Sequence, residues 1–200
     1  MDDRPPHLSR RSTLASLLGS AVLPFLSRPG LAQSDDRPPV FETARHQFII
    51  VRPSKILPPV SLTDINGKPA TLAPTPGKIL LVNIWATWCE ACRVDLPLLE
   101  RLQNVAGGRV NVAAVSIDKT DRQQVKRYLQ KAAIRALPIY LDPEGRLANK
   151  STDNPAPLPI YGMPLTYLVT PSGRIAGYMA GVADWLAKDG QELLAYYASA

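Results

Sequence analysis

The chain contains few of the residues that build metal sites or disulfide frameworks. Only two of its 200 residues are cysteine and only two are histidine. Two cysteines form at most one intramolecular disulfide, so a network of structural disulfides is excluded. A structural zinc site needs four Cys or His ligands, and His46 is the only histidine beyond the first 32 residues. We therefore expect no metal and no cofactor.

Long apolar runs and blocks of like charge are also absent. The most apolar stretch, residues 14–26, is broken by Pro24 and falls short of the roughly 20 residues of a membrane span. The net charge is +6, and basic residues alternate with acidic ones, as in Asp118-Lys119-Thr120-Asp121-Arg122. This mixing predicts a solvated surface. Nucleic acid is therefore not expected as a partner.

The first 32 residues have the pattern of an export signal. Ser9-Arg10-Arg11-Ser12-Thr13-Leu14 precedes the apolar stretch, and Gly30-Leu31-Ala32 is similar to a cleavage site. The paired arginines are similar to a twin-arginine signal, and Arg28 disfavours the general secretory route. An ordinary basic leader and an uncleaved membrane anchor are the alternatives. Each of these predicts a location outside the cytoplasm, in the periplasm or cell envelope.

The remaining chain is long enough for one domain. We predict an irregular lead-in over residues 33–58, with one short strand at 48–51, and a single domain over residues 59–200. Asn66-Gly67 lies between two short apolar segments and predicts a β-hairpin. Further strands are predicted at 79–85, 109–118, 139–141, 165–170 and 174–181, and helices at 93–105, 121–133 and 185–197. The alternation predicts an α/β fold with a mixed sheet flanked by helices, and we expect a monomer.

The most informative motif is Trp88-Cys89-Glu90-Ala91-Cys92, which contains both cysteines. It follows a predicted buried strand and precedes a predicted helix, so Cys89 is expected at a helix N-terminus. Free backbone N–H groups and the helix dipole stabilise a thiolate there, although Glu90 opposes this effect. Cys92, one turn further on, lies close enough to attack a mixed disulfide formed at Cys89. The motif therefore predicts a redox-active dithiol with Cys89 as the nucleophile.

From Pro59 to the C-terminus the chain resembles the thioredoxin-like family, and most closely its exported TlpA/ResA branch of thiol-disulfide oxidoreductases. The resemblance rests on residues 81–93, on Asp95-Leu96-Pro97, and on Gly162-Met163-Pro164-Leu165-Thr166 followed by Pro171-Ser172-Gly173-Arg174. It implies a thioredoxin-like fold, and the N-terminal hairpin is typical of this branch.

The same resemblance implies the segment that receives the substrate. The family has a cis proline that faces the dithiol, and Pro164 matches it in position and setting. The Met163 backbone would then pair with an extended substrate segment as a short added strand. An ordinary turn proline is the alternative. Trp88 is expected to shield the dithiol or to contact partners, whereas Trp85 is expected in the core.

The resemblance also implies a proton carrier. Thioredoxins proper have a buried aspartate where this chain has Asn83. The TlpA/ResA branch has asparagine there and a glutamate three residues after the second cysteine, where this chain has Asp95. Asp95 lies on the helical face of Cys92 and would exchange its proton. Alternatively, Asp95 only complements the helix dipole.

The function implied by the resemblance is reduction of disulfides in envelope proteins, during assembly of cytochrome c or copper sites or in general redox homeostasis. A membrane thiol electron donor would then re-reduce the dithiol. One alternative is an oxidase that inserts disulfides, although the inserted helical domain of DsbA-like oxidants is missing. A second is a module that binds Cu(I) through the two thiols. A peroxidase is less favoured because Ala86 stands where related peroxiredoxins have threonine.

Residues 153–159 form a proline-rich segment, Asp153-Asn154-Pro155-Ala156-Pro157-Leu158-Pro159. Alternating prolines cannot continue a helix. Because the segment leads towards Pro164, we expect either a semi-rigid loop beside the dithiol that narrows the choice of partner, or a plain surface connector.

Overall fold

The structure is a computed structural model that describes Met1, residues 37–119 and residues 121–199. The predicted export signal lies outside the described residues. Within them, no helix is long and apolar enough to cross a membrane. The elements are β1 Ile49–Ile50, β2 Val60–Asp64, β3 Pro69–Leu72, β4 Ile79–Trp85, α1 Cys92–Val105, β5 Val110–Ser116, α2 Arg122–Lys131, β6 Ile139–Leu141, β7 Ala148–Asn149, β8 Leu158–Pro159, β9 Leu165–Val169, β10 Ile175–Ala180 and α3 Lys188–Ala198.

Eight of these strands form one mixed sheet in the order β1-β10-β9-β4-β5-β6-β2-β3. Strand β4 lies in the middle, parallel to β5 and antiparallel to β9. All seven of its residues are buried, which explains why its sequence is almost continuously apolar instead of alternating. The predicted α/β fold with a mixed sheet is confirmed.

The two faces of the sheet are covered differently. Alternate residues of β4, such as Leu81 and Trp85, belong to a core cluster that includes buried apolar residues of all three helices. The residues between them, such as Leu80 and Val82, pack in a second cluster with Leu57, Leu147 and Leu158. Because side chains alternate along a strand, Asn83 shares the helical face with Trp85.

The hairpin predicted from Asn66-Gly67 is formed by β2 and β3, which pair antiparallel from Val60 with Leu72 to Thr63 with Pro69. Gly67 has a φ of +85°, a conformation that glycine adopts without steric cost. The Asp64 carboxylate closes the turn by accepting hydrogen bonds from the Asn66 and Lys68 amides, both at 2.8 Å.

The C-terminal helix begins later than predicted, at Lys188 instead of Trp185. Trp185 is 1% exposed and its ring lies 5.0 Å from that of Phe41, so it is buried against the lead-in. The first turn of α3 packs onto the Trp185 backbone, because a Cβ on Gly190 would lie 2.9 Å from the Trp185 Cα. The start of α3 is therefore determined by tertiary packing and not by the apolar periodicity of the sequence.

Residues 37–58, predicted as a lead-in, add a short edge strand and buried aromatic residues. Strand β1 pairs with β10, and Phe41 and Phe48 are 2% and 7% exposed. The proline-rich segment also contributes, because β8 pairs with β7 in a separate parallel ribbon and Leu158 is fully buried. Both segments are thus attached to the core through particular side chains.

Candidate active site

The two cysteines lie in the connection between β4 and α1. Strands β4 and β5 are parallel, so their carboxyl ends meet at one edge of the sheet, where binding sites of open α/β sheets form. The connection leaves β4 after the buried Trp85 and enters α1 at Cys92, with Ala91 as the N-cap. The predicted strand, cysteine loop and helix are therefore confirmed in that order.

Cys89 and Cys92 form a disulfide, with their Cα atoms 5.3 Å apart. Cys89 is 7% exposed and Cys92 is completely buried. The backbone N–H of Cys92, the first residue of α1, donates a hydrogen bond of 3.2 Å to Cys89 Sγ. Cys89 thus lies just before the helix, with the first helical amide directed at its sulfur. Of the two sulfurs, this one is reachable from outside.

Cys89 opens into a pocket of about 320 Å³. Trp88, Gly162 and Met163 line the same pocket, so the structure brings together the cysteine loop and the segment before β9. The peptide bond between Met163 and Pro164 is cis, as the resemblance implies, and Pro164 is buried. Trp88 is 65% exposed, whereas Trp85 is fully buried. Trp88, Cys89 and Met163 therefore line one pocket. Cys92 is joined to Cys89 by the disulfide, and Pro164 directly follows Met163.

Asp95, the third predicted site residue, lies in the first turn of α1 and is 1% exposed. Its Oδ2 accepts a hydrogen bond of 2.9 Å from Asn83 Nδ2, and its Oδ1 accepts one of 3.2 Å from the Ala183 amide. Burial raises the pKa of Asp95 to about 7, although both of these donors act in the opposite direction. A buried acid that titrates near neutral pH is suited to proton transfer.

Asn83 holds this acid in place. Besides Asp95, its Nδ2 donates to Thr166 Oγ1 at 2.9 Å, which links β4, α1 and β9. Its Oδ1 is buried and has no hydrogen-bond partner among the described residues. Sequence reasoning noted Asn83 only as the replacement of an acid and did not assign Thr166 a role. The position of Thr166 inside the Gly162 to Thr166 motif is the pattern that could have revealed it.

A second buried carboxylate, Asp118, was missed. It was predicted on a solvated surface, and this prediction is wrong because Asp118 is 4% exposed. Its carboxylate accepts hydrogen bonds from the Thr87 amide (2.9 Å), from Thr87 Oγ1 (2.7 Å) and from Ser116 Oγ (2.7 Å). It lies just beyond the carboxyl end of β5, beside the cysteine loop. That position is the feature from which burial could have been expected.

The segment between β7 and β8 reaches the dithiol through Lys150, which lines the Cys89 pocket. The prolines of this segment are not among the lining residues of that pocket. Asn149 organises the loop, since its side chain donates to the carbonyls of Gly145 and Asn154 and accepts from the amides of Ser151 and Ala156. Nothing in the local sequence pattern distinguishes Lys150 from other surface lysines.

Comparison with known proteins assigns the chain to a family. A sequence profile of the AhpC/TSA family matches residues 53–177. The chain is 26% identical to the thioredoxin-like protein YneN of Bacillus subtilis over 71% of this chain and 79% of the relative. It is 25% identical to the thiol-disulfide oxidoreductase ResA of Bacillus subtilis, over 60% of this chain and 63% of ResA.

The fold is shared with solved structures. A thiol:disulfide interchange protein of the thioredoxin family from Chlorobium tepidum superimposes with a TM-score of 0.57 and 22% identity. The match covers 74% of this chain and 99% of that structure. It confirms the predicted thioredoxin-like fold. The chain therefore belongs to the AhpC/TSA family and is a thiol-disulfide oxidoreductase with a Cys-x-x-Cys pair on a thioredoxin-like fold.

Proposed function

We propose that this protein is an exported reductase that transfers two electrons from its dithiol to disulfides of other envelope proteins. The observation that carries the exchange chemistry is the asymmetry of the two thiols, and the resemblance to the TlpA/ResA branch favours the reductive direction. Cys89 opens into a pocket, whereas Cys92 is completely buried and is followed one helical turn later by an acid whose pKa is about 7. One thiol is thus placed to meet a partner and the other to resolve the complex.

In the first step the Cys89 thiolate attacks one sulfur of the partner disulfide. A bond forms between Cys89 Sγ and that sulfur, the partner S–S bond breaks, and the departing thiolate takes a proton from solvent. The Cys92 amide, which reaches Cys89 Sγ at 3.2 Å, favours the thiolate over the thiol. Exposed Trp88 and the Met163 backbone flank the reacting sulfur and hold the partner segment, with Pro164 fixing the approach.

In the second step Cys92 releases the partner. Asp95, as a carboxylate, accepts the Cys92 proton, and the resulting thiolate attacks Cys89 Sγ. The mixed disulfide breaks, the second partner thiolate leaves, and the proton held by Asp95 is returned to it. The partner has gained two electrons and two protons, and the protein ends as the disulfide seen here. A thiol electron donor restores the dithiol by the reverse exchange.

The direction of electron flow is tested by the reduction potential of the Cys89 and Cys92 pair in residues 33–200, measured by equilibration with defined thiol buffers. A potential near or below about −220 mV, in the range of thioredoxins and glutaredoxins, is expected for a reductase. A potential near −120 mV, typical of a strong oxidant, would contradict the proposed direction and favour disulfide insertion.

Export is supported by the sequence pattern of residues 1–32. We expect the mature protein to begin at Gln33 and to be found in the envelope fraction of cells, with a thiol donor in the membrane. N-terminal sequencing after fractionation tests this, and full-length protein in the cytoplasmic fraction would contradict it. Arg10→Lys/Arg11→Lys should block export if the twin-arginine route is used, whereas a general secretory signal would tolerate the change.

The clients that we propose are proteins whose cysteines later receive haem or copper, because their cysteines must be reduced first. A Cys92→Ala variant cannot resolve the mixed disulfide and should retain its client covalently at Cys89. Mass spectrometry of the trapped complex identifies the client. Recovery of apocytochrome c or a copper-site protein is expected, and recovery of only unrelated secreted proteins would instead indicate general redox homeostasis.

A further inference from the structure

A second cavity lies beside the dithiol, on the side of α2. It is a groove of about 730 Å³, and the name basic groove is used here for the surface lined by Trp88, Arg93, Arg127, Tyr128 and Lys131. Trp88 also lines the Cys89 pocket. The two cavities therefore adjoin at one exposed tryptophan, and an extended chain that crosses Cys89 can continue into the groove.

The groove concentrates positive charge. Its lining includes the cations Arg93, Arg127 and Lys131 and no acidic residue. Among residues 37–119 and 121–199, no carboxylate forms an ion pair with any of the three, since the ion pairs found there join Arg146 to Glu144 and Lys188 to Glu192. The three side chains are also exposed. Their charges are therefore available to a partner.

The dipole of α2 accounts for one of these cations, because Lys131 lies in the last turn, where a basic residue is favourable. The helix sequence, RQQVKRYLQK, contains four basic residues and no acidic one. Arg127 and Lys131 are four residues apart on one helical face, where like charges destabilise a helix slightly. Its N-cap, Asp121, instead bonds the Gln123 amide. Helix stability therefore does not explain why Arg127 and Lys131 carry the same charge on the groove side of α2.

The groove also has an apolar side suited to a polypeptide. Trp88 is 65% exposed. The Tyr128 ring, which lines the groove, lies 5.4 Å from the ring of buried Trp85, so the core supports it. Aromatic side chains and arginine are enriched where protein partners bind. The groove thus combines an anchor surface with converging cations.

We propose that the basic groove binds an acidic segment of the client protein, next to the client disulfide in its sequence. This deepens the proposed reductase function and rests on it. Aspartate or glutamate side chains of the client would pair with Arg93, Arg127 and Lys131 while the neighbouring disulfide reaches Cys89. Opposite charge steers encounter and raises the association rate, and the gain falls with ionic strength.

The test uses two synthetic peptides that share one intramolecular disulfide and differ only in four flanking residues, all aspartate or all asparagine. The rate at which each peptide oxidises the reduced protein is measured by thiol trapping. At an ionic strength of about 0.01 M, where screening extends to about 30 Å, we expect the acidic peptide to react about 10-fold faster. The ratio should approach one at about 1 M salt, where the screening length is about 3 Å.

Paired charge reversals test whether the cations of the basic groove cause the preference for the acidic peptide. Arg127→Glu/Lys131→Glu should abolish the preference for the acidic peptide, and the milder Arg127→Gln/Lys131→Gln should reduce it. The matched control, Lys55→Glu/Arg101→Glu, makes the same change of net charge at exposed residues outside the groove and should keep the preference. Each result is the ratio of the rates with the two peptides in one variant. A general loss of folded protein lowers both rates equally and leaves this ratio unchanged.

Four outcomes separate the possibilities. A salt-sensitive preference that the groove variants lose and the control keeps supports the proposal. Equal rates for the two peptides in the wild-type protein, or a preference that survives Arg127→Glu/Lys131→Glu, overturn it while leaving the reductase function intact. Equal rates combined with groove-dependent binding of phosphatidylglycerol vesicles would overturn it in favour of a membrane surface. If neither peptide oxidises the reduced protein, the proposed reductase function fails and this inference with it.

Discussion

Two buried carboxylates lie on either side of the cysteine loop, and their surroundings differ. Asp118 is 4% exposed and accepts three hydrogen bonds, two of them from Thr87 in the loop and one from Ser116. Asp95 is 1% exposed and accepts one hydrogen bond on each oxygen, from Asn83 and from the Ala183 amide. Two donors of Asp118 belong to Thr87 in the cysteine loop, whereas the donors of Asp95 belong to Asn83 in β4 and to the Ala183 backbone.

This difference separates two uses of a buried acid. A carboxylate loses its water on burial, which favours the neutral form unless enough donors replace that water. The two donors of Asp95 do not offset its burial, and its pKa rises to about 7. We infer that Asp95 exchanges protons, whereas Asp118 ties the cysteine loop to the end of β5. The predictions that follow test this division.

The largest expected effect is the loss of stability in Asp118→Ala. This change leaves the buried Ser116 hydroxyl and the half-buried Thr87 amide and hydroxyl without their acceptor. A fully buried unpaired polar group costs about 1–3 kcal/mol, and a half-buried one less. We expect the free energy of unfolding to fall by about 3–5 kcal/mol. Denaturant unfolding of the oxidised protein measures it. Asp118→Asn keeps one acceptor oxygen and should lose less; a loss below about 1 kcal/mol in Asp118→Ala would remove the bracing role.

The next effect is the pH dependence of stability due to Asp95. In the folded protein this acid holds its proton up to about pH 7, whereas the unfolded chain releases it near 3.8. Between these values the folded state binds more protons, so this contribution to stability falls as the pH rises. A tenfold change in the proton equilibrium corresponds to about 1.4 kcal/mol, and we expect a loss on the order of 2–4 kcal/mol from pH 4 to pH 8.

Asp95→Asn isolates this contribution, because an amide does not titrate. The measurement is the free energy of unfolding of both oxidised proteins across this pH range, with the cysteines joined so that they do not titrate. We expect the difference between wild type and Asp95→Asn to shift in favour of the variant as the pH rises. A difference that stays constant with pH, or shifts in favour of the wild type, would show that burial does not raise the pKa of this acid.

The contrast between the two acids also shows which features of the structure can be predicted from the sequence. Strong local patterns predicted strand β4, the hairpin at Gly67 and a helix directly after the cysteines. The cis peptide before Pro164 was implied by the family resemblance. Asp95 was predicted because the TlpA/ResA branch, which the chain resembles, has an acid three residues after the second cysteine. The predicted roles of Asp95, Pro164, Trp88 and Met163 in the reaction stay predictions.

Contacts between distant parts of the chain were not predictable in the same way. Thr87 and Asp118 are 31 residues apart, and the mixed charges around Asp118 favour exposure when only neighbours in the sequence are considered. Lys150 lines the Cys89 pocket because of the path that the segment after β7 follows. The late start of α3 depends on Trp185 packing against Phe41. In each case a tertiary contact, absent from local sequence, decides the outcome.

A kinetic comparison sharpens the division further. We expect Asp95→Asn to resolve the mixed disulfide about 100-fold more slowly, because general acid–base groups typically contribute about 100-fold or more. Rapid acid quench of the reduced protein with a disulfide peptide, followed by mass spectrometry, measures how long the mixed disulfide persists. Asp118→Asn is the comparison and should change this rate less than about threefold, because Asp118 is not expected to exchange the proton. Equal slowing in both variants would mean that both acids act only through structure.

The smallest expected effects are the losses of stability in two threonine variants, Thr87→Val beside Asp118 and Thr166→Val beside Asn83. Thr87→Val removes the hydroxyl that donates to Asp118 at 2.7 Å, and a hydrogen bond to a charged group is worth about 1.5–3 kcal/mol. Thr166→Val removes the oxygen that accepts from Asn83 Nδ2, but this amide still donates to Asp95, so a loss of about 0.5–1 kcal/mol is expected. Both changes keep the volume of the side chain, and denaturant midpoints at one pH compare them directly. If Thr166→Val cost more than Thr87→Val, the network of Asn83 and Asp95 would be the stronger brace, and Asp118 would lose its special structural role.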